Sequence, residues 1–242
     1  MKKFGILLLA CITALNLWAE EFKIGKLTFT IETPTTVGLT DADEDIRNVY
    51  LSETIDYEGN SYTLTYIGEA AFKGCKSLKS VIIPNSVTSI ENGAFSGCKS
   101  LKSVTIPNSV TSIGWYAFKG CSSLTSVTIP NSVKEIGERA FCRCSGLTSV
   151  TIGNSVTSIG DGAFYGCSSL TSVTIPNSVT WIGGYAFEGC KSLKSVTIPN
   201  SVTRIGWDAF RGCKSLTSVT IPNSVKEIGD WAFPEHTQII RK

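Results

Sequence analysis

From Ile67 onward the chain repeats one 23-residue stretch with no insertion or deletion. The copy from Ile182 to Arg204 reads IGGYAFEGCKSLKSVTIPNSVTR. The same frame opens at Ile67, Ile90, Ile113, Ile136, Ile159 and Ile205, and a shorter eighth copy starts at Ile228. A fixed period of this length constrains the fold more than any local propensity. One unit is too short to enclose a core, so each coil must bury its apolar side against its neighbours. The period predicts a repeat solenoid over residues 67–233, with residues 20–66 as an N-terminal β cap and residues 234–242 as a C-terminal tail or cap.

Within the Ile182 copy the recurrent apolar positions are Ile182, Ala186, Phe187, Cys190, Leu193, Val196, Ile198 and Val202. Val196 and Ile198 are two apart and share one face of a strand, with Ser195 and Thr197 on the other. Pro199 cannot donate to a ladder, so it ends the strand, and Pro199-Asn200-Ser201 turns the chain. The stretch Ala186 to Cys190 is too short for a full helix. It reads as a helical or 3-10 turn closed by Gly189 in the left-handed conformation. The expectation is a right-handed superhelix with one short parallel strand, Ser-Val-Thr-Ile, and one such turn per coil. Copies stacked about 4.8 Å apart would align Phe72, Phe95, Phe118, Phe141, Phe164, Phe187 and Phe210 in one spine. Burial of each ring contributes about 1.5–3 kcal/mol.

The ends of the chain read differently. Lys2-Lys3, the apolar run Phe4 to Leu15 and the segment Asn16 to Ala19 have the pattern of an export signal, residues 1–19. Two processing routes fit it: cleavage after Ala19, or lipid attachment at Cys11, where Leu8-Leu9-Ala10-Cys11 resembles a bacterial lipobox. Either way the protein is exported, to the medium or the cell surface. Basic residues number 22 and acidic residues 20, and Lys2 and Lys3 fall in the leader, so the rest of the chain is neutral. Neutrality removes any whole-molecule electrostatic case for nucleic acid or an anionic membrane as partner. Between Glu20 and Tyr66 no copy of the repeat is visible. Lys26 to Ile31 and Ser61 to Tyr66 alternate as strands, the second after the turn Glu58-Gly59-Asn60. The acidic run Asp41 to Asp45 reads as a solvated loop, since it lacks the glycine and terminal glutamate of an EF-hand. No anchoring or sorting segment is read after Phe233.

Chemistry-bearing residues are few. Cys75, Cys98, Cys121, Cys144, Cys167, Cys190 and Cys213 occupy one inward position per coil and read as small buried hydrophobes. Cys142 stands where other copies hold Lys73, Lys119, Tyr165 and Arg211, and is expected at the surface as a reactive or intermolecular thiol. Its copy also replaces glycine by Arg143, serine by Gly146 and proline by Gly153, so a local bend or looser coil is expected there. The single histidine, His236, lies in the tail, and no hydrolase, metalloprotease, P-loop or dinucleotide motif occurs. An enzyme, a metal site and a cofactor are therefore not expected.

Two surface features remain. Ser103, Ser126, Ser149, Ser172, Ser195 and Ser218 stand beside Thr105, Thr128, Thr151, Thr174, Thr197 and Thr220 on the outward strand face. This hydroxyl grid resembles the ranked threonines of ice-binding solenoids, although β-branched threonine suits any exposed strand. The second feature lies where copies differ. Trp115, Tyr116, Tyr185, Trp207 and Trp231 occupy the second and third positions after the isoleucine, Trp181 precedes its isoleucine, and Tyr165 follows its phenylalanine. Exposed aromatics on a rigid polar surface are the raw material of binding hot spots. Repeat drift, with rings lying over neighbouring turns, is the other reading.

The whole register, L-x-x-V-x-I-P-x-S-V-x-x-I-G-x-x-A-F-x-G-C, resembles the BspA-like bacterial leucine-rich repeat family from Ile67 to Phe233. Its Leu193, Val196 and Ile198 approach the L-x-x-L-x-L signature of leucine-rich repeats. The Tyr57–Tyr62 hairpin is similar to the family's N-terminal cap. The resemblance implies a secreted or surface protein that binds host proteins or other cells, as an adhesin or antigen. It carries over no catalytic residues. A host, cell-surface or matrix protein is thus the expected partner, with no nucleic acid and no membrane span. A self-associating structural role and a surface- or ice-binding role through the hydroxyl grid stand as alternatives.

Overall fold

A computed structural model describes residues 20–242. The leader, its cleavage point after Ala19 and Cys11 lie outside the described residues. The repeats stack as a β-solenoid of about nine coils around one continuous core. The inward columns are those expected. Ile182, Ala186, Phe187, Cys190, Leu193 and Val202 are fully buried, as are nearly all their counterparts in the other full copies. The phenylalanine spine runs from Phe72 to Phe233 with ring centroids 5.0–5.4 Å apart and planes within 10° of parallel. This offset-stacked spacing sets the rise of the coil.

Each coil carries two strands, not one. Ser195–Thr197 and its counterparts pair in parallel in strict register, as expected, but only in groups of two or three coils. The uninterrupted sheet lies elsewhere. Two-residue strands ending in the repeat isoleucine, such as Trp181–Ile182 and Arg204–Ile205, pair from coil to coil and join the N-terminal strands in a twelve-stranded sheet. A two-residue strand has no alternation to read. Its partner is the same residue one coil away, so pairing shows only when the coils are stacked.

The expected helical turn is absent. Between Gly183 and Cys190, Ala186, Glu188 and Cys190 donate their N–H groups three residues back. The alternate donors Tyr185, Phe187 and Gly189 reach carbonyls of the next coil, at Trp207, Ala209 and Arg211, over 2.9, 2.7 and 2.8 Å. A helix would need all of these donors for itself. Stacking takes every second one, and the chain forms linked turns instead. Two left-handed residues per coil make this possible. One is the expected Gly189, at φ 71°; the other is Tyr185, at φ 56°. Backbones also approach closely where glycine follows the isoleucine: a Cβ on Gly160 would stand 2.7 Å from the Ile136 carbonyl oxygen.

The N-terminal segment folds as β1 (Glu21–Ile24), β2 (Leu27–Thr33), β3 (Thr36–Ala42), β4 (Asn48–Tyr50), β5 (Thr54–Tyr57) and β6 (Asn60–Ile67). The hairpin β5–β6 and the antiparallel ladders β1–β2 and β2–β3 precede the regular stack. Contrary to the sequence reading, this region contains a degenerate coil. Leu39 pairs with Ile67 and Val49 with Val81, so β3 and β4 occupy the two strand positions of a coil. Its turn is shortened to the residues between Leu39 and Asn48, and the hairpin β5–β6 fills the return from β4 to Ile67, which breaks the period. The acidic run is held by lysines: Lys23 Nζ lies 2.6 Å from Asp43, and Lys26 pairs with Asp45. Among the described residues no cluster of histidine, cysteine, aspartate or glutamate is arranged to hold a metal, and no helix is long and apolar enough to cross a membrane.

The irregular copy at Ile136 neither bends nor loosens. Ser126–Ile129 pairs with Ser149–Ile152 without a slip, and Phe141 stacks on Phe118 and Phe164 at 5.1 and 5.4 Å. The inward columns of that copy are unchanged, and they carry the stack. At the far end, Gln238–Arg241 adds a parallel strand beside Ser218–Ile221. Its Ile239 and Ile240 remain exposed.

Candidate functional site

The seven ladder thiols are free, buried and structural. Six of them donate from Sγ to the carbonyl of the phenylalanine one coil earlier, over 3.0–3.3 Å. Cys75, facing the degenerate coil, reaches the carbonyls of Ala42 and Asp43 instead. Burial pushes the Cys75 and Cys213 thiols up to about 12. Cys142 is a correction to the sequence reading: it is buried, at 4 % exposure, not a surface thiol. Burial raises its pKa, against the opposing pull of Arg143, Lys119 and Arg139. The side chains of neighbouring coils close over it.

The hydroxyl grid is exposed as expected, and Ser195, Thr197, Ser218 and Thr220 line a shallow recess on it with Asn200 and Lys242. The aromatic positions form a relief on a different edge, built from the linked turns. Trp115 and Trp207 are 58 % exposed and Trp231 is 73 % exposed; Tyr116, Tyr165, Trp181 and Tyr185 are half-buried. Two recesses gather most of them. Tyr116, Tyr165 and Tyr185 line a groove of about 500 Å³ together with Lys119, Arg139, Cys142, Arg143 and Glu188. Trp181 and Trp207 line a second recess of about 580 Å³ with Arg204, Glu227 and Asp230 among its walls. The Tyr185 and Trp207 rings meet at 6.1 Å with planes at 53°, so the two recesses share a wall. Trp115 and Trp231 stand outside both.

The rings are held rather than loosely draped. Trp207 lies over Gly184, where an added Cβ would come within 2.3 Å of the indole nitrogen. Arg204 pairs with Glu227 at 3.2 Å across the strands beside it. The Trp181 indole nitrogen is buried without a hydrogen-bond partner among the described residues. In the first groove Arg139 donates to the Tyr116 hydroxyl at 2.9 Å and pairs with Glu138 at 3.0 Å. The Lys119 ammonium sits 5.0 Å from the Tyr116 ring centroid, within reach of a cation–π attraction. Both recesses are concave and partly apolar, with a few polar groups converging on them, as binding sites are.

Sequence reading named the aromatics and missed the cations. The signal was in the Ile136 copy, whose Cys142 and Arg143 depart from every sister coil. Cys142 is small where its column carries Lys119, Tyr165, Glu188 and Arg211, so it leaves the groove its floor. Arg143 stands where the other full copies have glycine and supplies a wall.

A stack of short parallel coils with a Leu-x-x-Val-x-Ile strand and a sculpted turn edge defines a leucine-rich-repeat solenoid. The chain belongs to the BspA-type leucine-rich repeat family, whose six-copy model matches residues 53–168 and 111–240. A leucine-rich cell surface protein from Faecalibacterium prausnitzii A2-165 superposes with a TM-score of 0.63 at 30 % identity, covering 93 % of this chain and 76 % of that one. A leucine-rich repeat protein from Bacteroides ovatus gives 0.60 at 26 % identity, covering 90 % and 81 %. The T. pallidum leucine-rich repeat protein gives 0.59 at 26 %, covering 89 % and 92 %. No curated protein is matched.

Proposed function

We propose that this protein is a non-enzymatic protein-binding module acting outside the cell, and that its aromatic turn edge is the contact surface. The observation that carries this reading is the placement of three tryptophans, Trp115, Trp207 and Trp231, with more than half their surface in water. Trp115 and Trp207 stand on turns whose phenylalanines, Phe118 and Phe210, are fully buried, and Trp231 on the last turn, whose Phe233 is partly buried. A rigid stack loses little conformational entropy on association, so a few large rings suffice as anchors. The similarity to a cell surface protein supports an exported location, as does the leader pattern. Typical members of this repeat class are scaffolds, not catalysts.

The test is binding of residues 20–242, immobilised, to purified extracellular-matrix and cell-surface proteins. Trp207→Ala and Tyr185→Ala are each expected to weaken the interaction by about 1–3 kcal/mol, the range of interface hot spots. Replacing Thr151, Thr174 and Thr197 with serine should leave it unchanged. The reverse pattern would make the strand face the working surface. Self-association is a second reading, favoured by the exposed Ile239 and Ile240 on the strand that pairs with Ser218–Ile221. Concentration-dependent sedimentation abolished by Ile240→Lys would support it.

A further inference from the structure

We propose that the groove lined by Tyr116, Arg139, Arg143, Tyr165 and Tyr185 binds a carboxylate-rich peptide segment of the protein partner. This assignment rests on the binding-module reading and adds the chemistry of the ligand.

Charge is the first observation. The groove gathers Lys119, Arg139 and Arg143 against one lining carboxylate, Glu188, in a chain that is neutral apart from its leader. Among the described residues no carboxylate pairs with Lys119 or Arg143, whereas Arg139 is already oriented by Tyr116 and Glu138. Arginine forks match carboxylates in a bidentate geometry, and clusters of them read acidic motifs. Tyrosines beside them add rigid contact area at low entropic cost.

Backbone strain is the second, and it is independent of charge. Among the described residues eight non-glycine residues have positive φ, and four of them, Tyr116, Arg139, Arg143 and Tyr185, line this one groove, at 58°, 52°, 59° and 56°. At the first of the two coil positions these occupy, other coils use Gly93 and Gly162, or Ala70, Asp208 and Trp231; at the second, Arg143 alone replaces the glycine that every other full copy carries, as at Gly120 and Gly166. Bulky side chains in the left-handed region are disfavoured and persist where the surroundings over-determine them, commonly at functional sites. Half of the strained non-glycine positions thus build this one groove, Arg143 among them.

A peptide fits better than a polyanionic glycan. Along the stack toward the C-terminus the turns present Glu188 and Asp230, while Asp208 is buried and paired with Arg211. A polymer charged on every unit would run from the cations onto these carboxylates. A peptide can place its acidic residues over three cations and none beyond.

The experiment is fluorescence anisotropy on residues 20–242 with three probes: a short fluorescein-labelled Asp/Glu-rich peptide, its Asn/Gln counterpart, and a labelled heparin oligosaccharide. The acidic peptide should bind with a salt-sensitive affinity at least tenfold above its amide counterpart. Arg143→Gly should lower that affinity about tenfold, the factor for one contact of about 1.4 kcal/mol, and it restores the residue of the sister coils, so folding is not at risk. Trp231→Ala, outside the groove, should leave it unchanged. Equal binding of the amide peptide, indifference to Arg143→Gly, or no acidic-peptide binding would overturn the assignment. Heparin binding lost in Arg143→Gly without peptide binding would assign the groove to a glycan instead. If Trp207→Ala weakens the protein partner while Arg143→Gly does not, the groove assignment falls and the aromatic edge stands. If neither does, the edge reading itself fails.

Discussion

Raising the pH should dismantle this fold through its thiols. Burial holds Cys167 and Cys190 well above the ordinary thiol range and Cys75 and Cys213 at about 12. For Cys121, hydrogen bonding with the neighbouring thiols of Cys144 and Cys98 comes first and burial adds to it. In the unfolded chain these five ionise near pH 8.5–9. A group whose pKa is raised on folding stabilises fully below its unfolded pKa, and that stabilisation is lost as pH rises toward the folded value. Above pH 9 the folded state keeps its five protons while the unfolded state sheds them. Each thiol then removes roughly 1–2 kcal/mol by pH 10, so the five together remove about 7–10 kcal/mol. This is comparable with the whole stability of a typical domain, about 5–15 kcal/mol. The assay is urea unfolding under reductant at pH 7.5, 9 and 10. A loss of about 2–4 kcal/mol is expected by pH 9, with unfolding near pH 10. Cys167→Ala should weaken the dependence by about a fifth. Stability that stays flat from pH 8 to 10, or a slope indifferent to Cys167→Ala, would refute buried thiols as the cause.

Three further outcomes follow from the geometry. Arg143→Gly relieves about 1–2 kcal/mol of left-handed strain and gives back about 0.4–1 kcal/mol through unfolded-state entropy, so the melting temperature should hold or rise by a few degrees. A clear fall in calorimetry would contradict the strain argument. Phe164→Ala removes a ring from the middle of the spine and should cost about 3–5 kcal/mol in urea titrations; a cost below 1 kcal/mol would mean the stack does not carry the core. Alkylation of the native protein, followed by mass spectrometry, should leave all eight described cysteines unmodified, Cys142 included, until denaturant is added. Rapid native labelling of Cys142 would restore it as a surface thiol.

The repeat alone determined the stack and its inward columns. A side chain that recurs every 23 residues meets its own copies above and below, so Ile182, Phe187, Cys190 and Leu193 had no other place to go. The aromatic positions were legible for the complementary reason, since departures from a repeated turn fall where the stack does not constrain the side chain. Tertiary structure decided the rest, because it turned on which backbone groups pair between coils. The turn before Cys190 is not helical because Tyr185, Phe187 and Gly189 give their donors to the next coil. The two-residue strands ending in isoleucine exist only as a ladder. The degenerate coil between Thr36 and Tyr66 was hidden by a hairpin that breaks the period, and only pairing of Leu39 with Ile67 reveals it. Cys142 showed the same limit at the level of one side chain. Its column is otherwise polar or aromatic, which argued for the surface, yet residues from three adjacent coils, Lys119, Arg139, Arg143 and Tyr165, surround it and make it the floor of a groove. A column describes one position through the stack; burial depends on the columns beside it, and those meet only once the chain has folded.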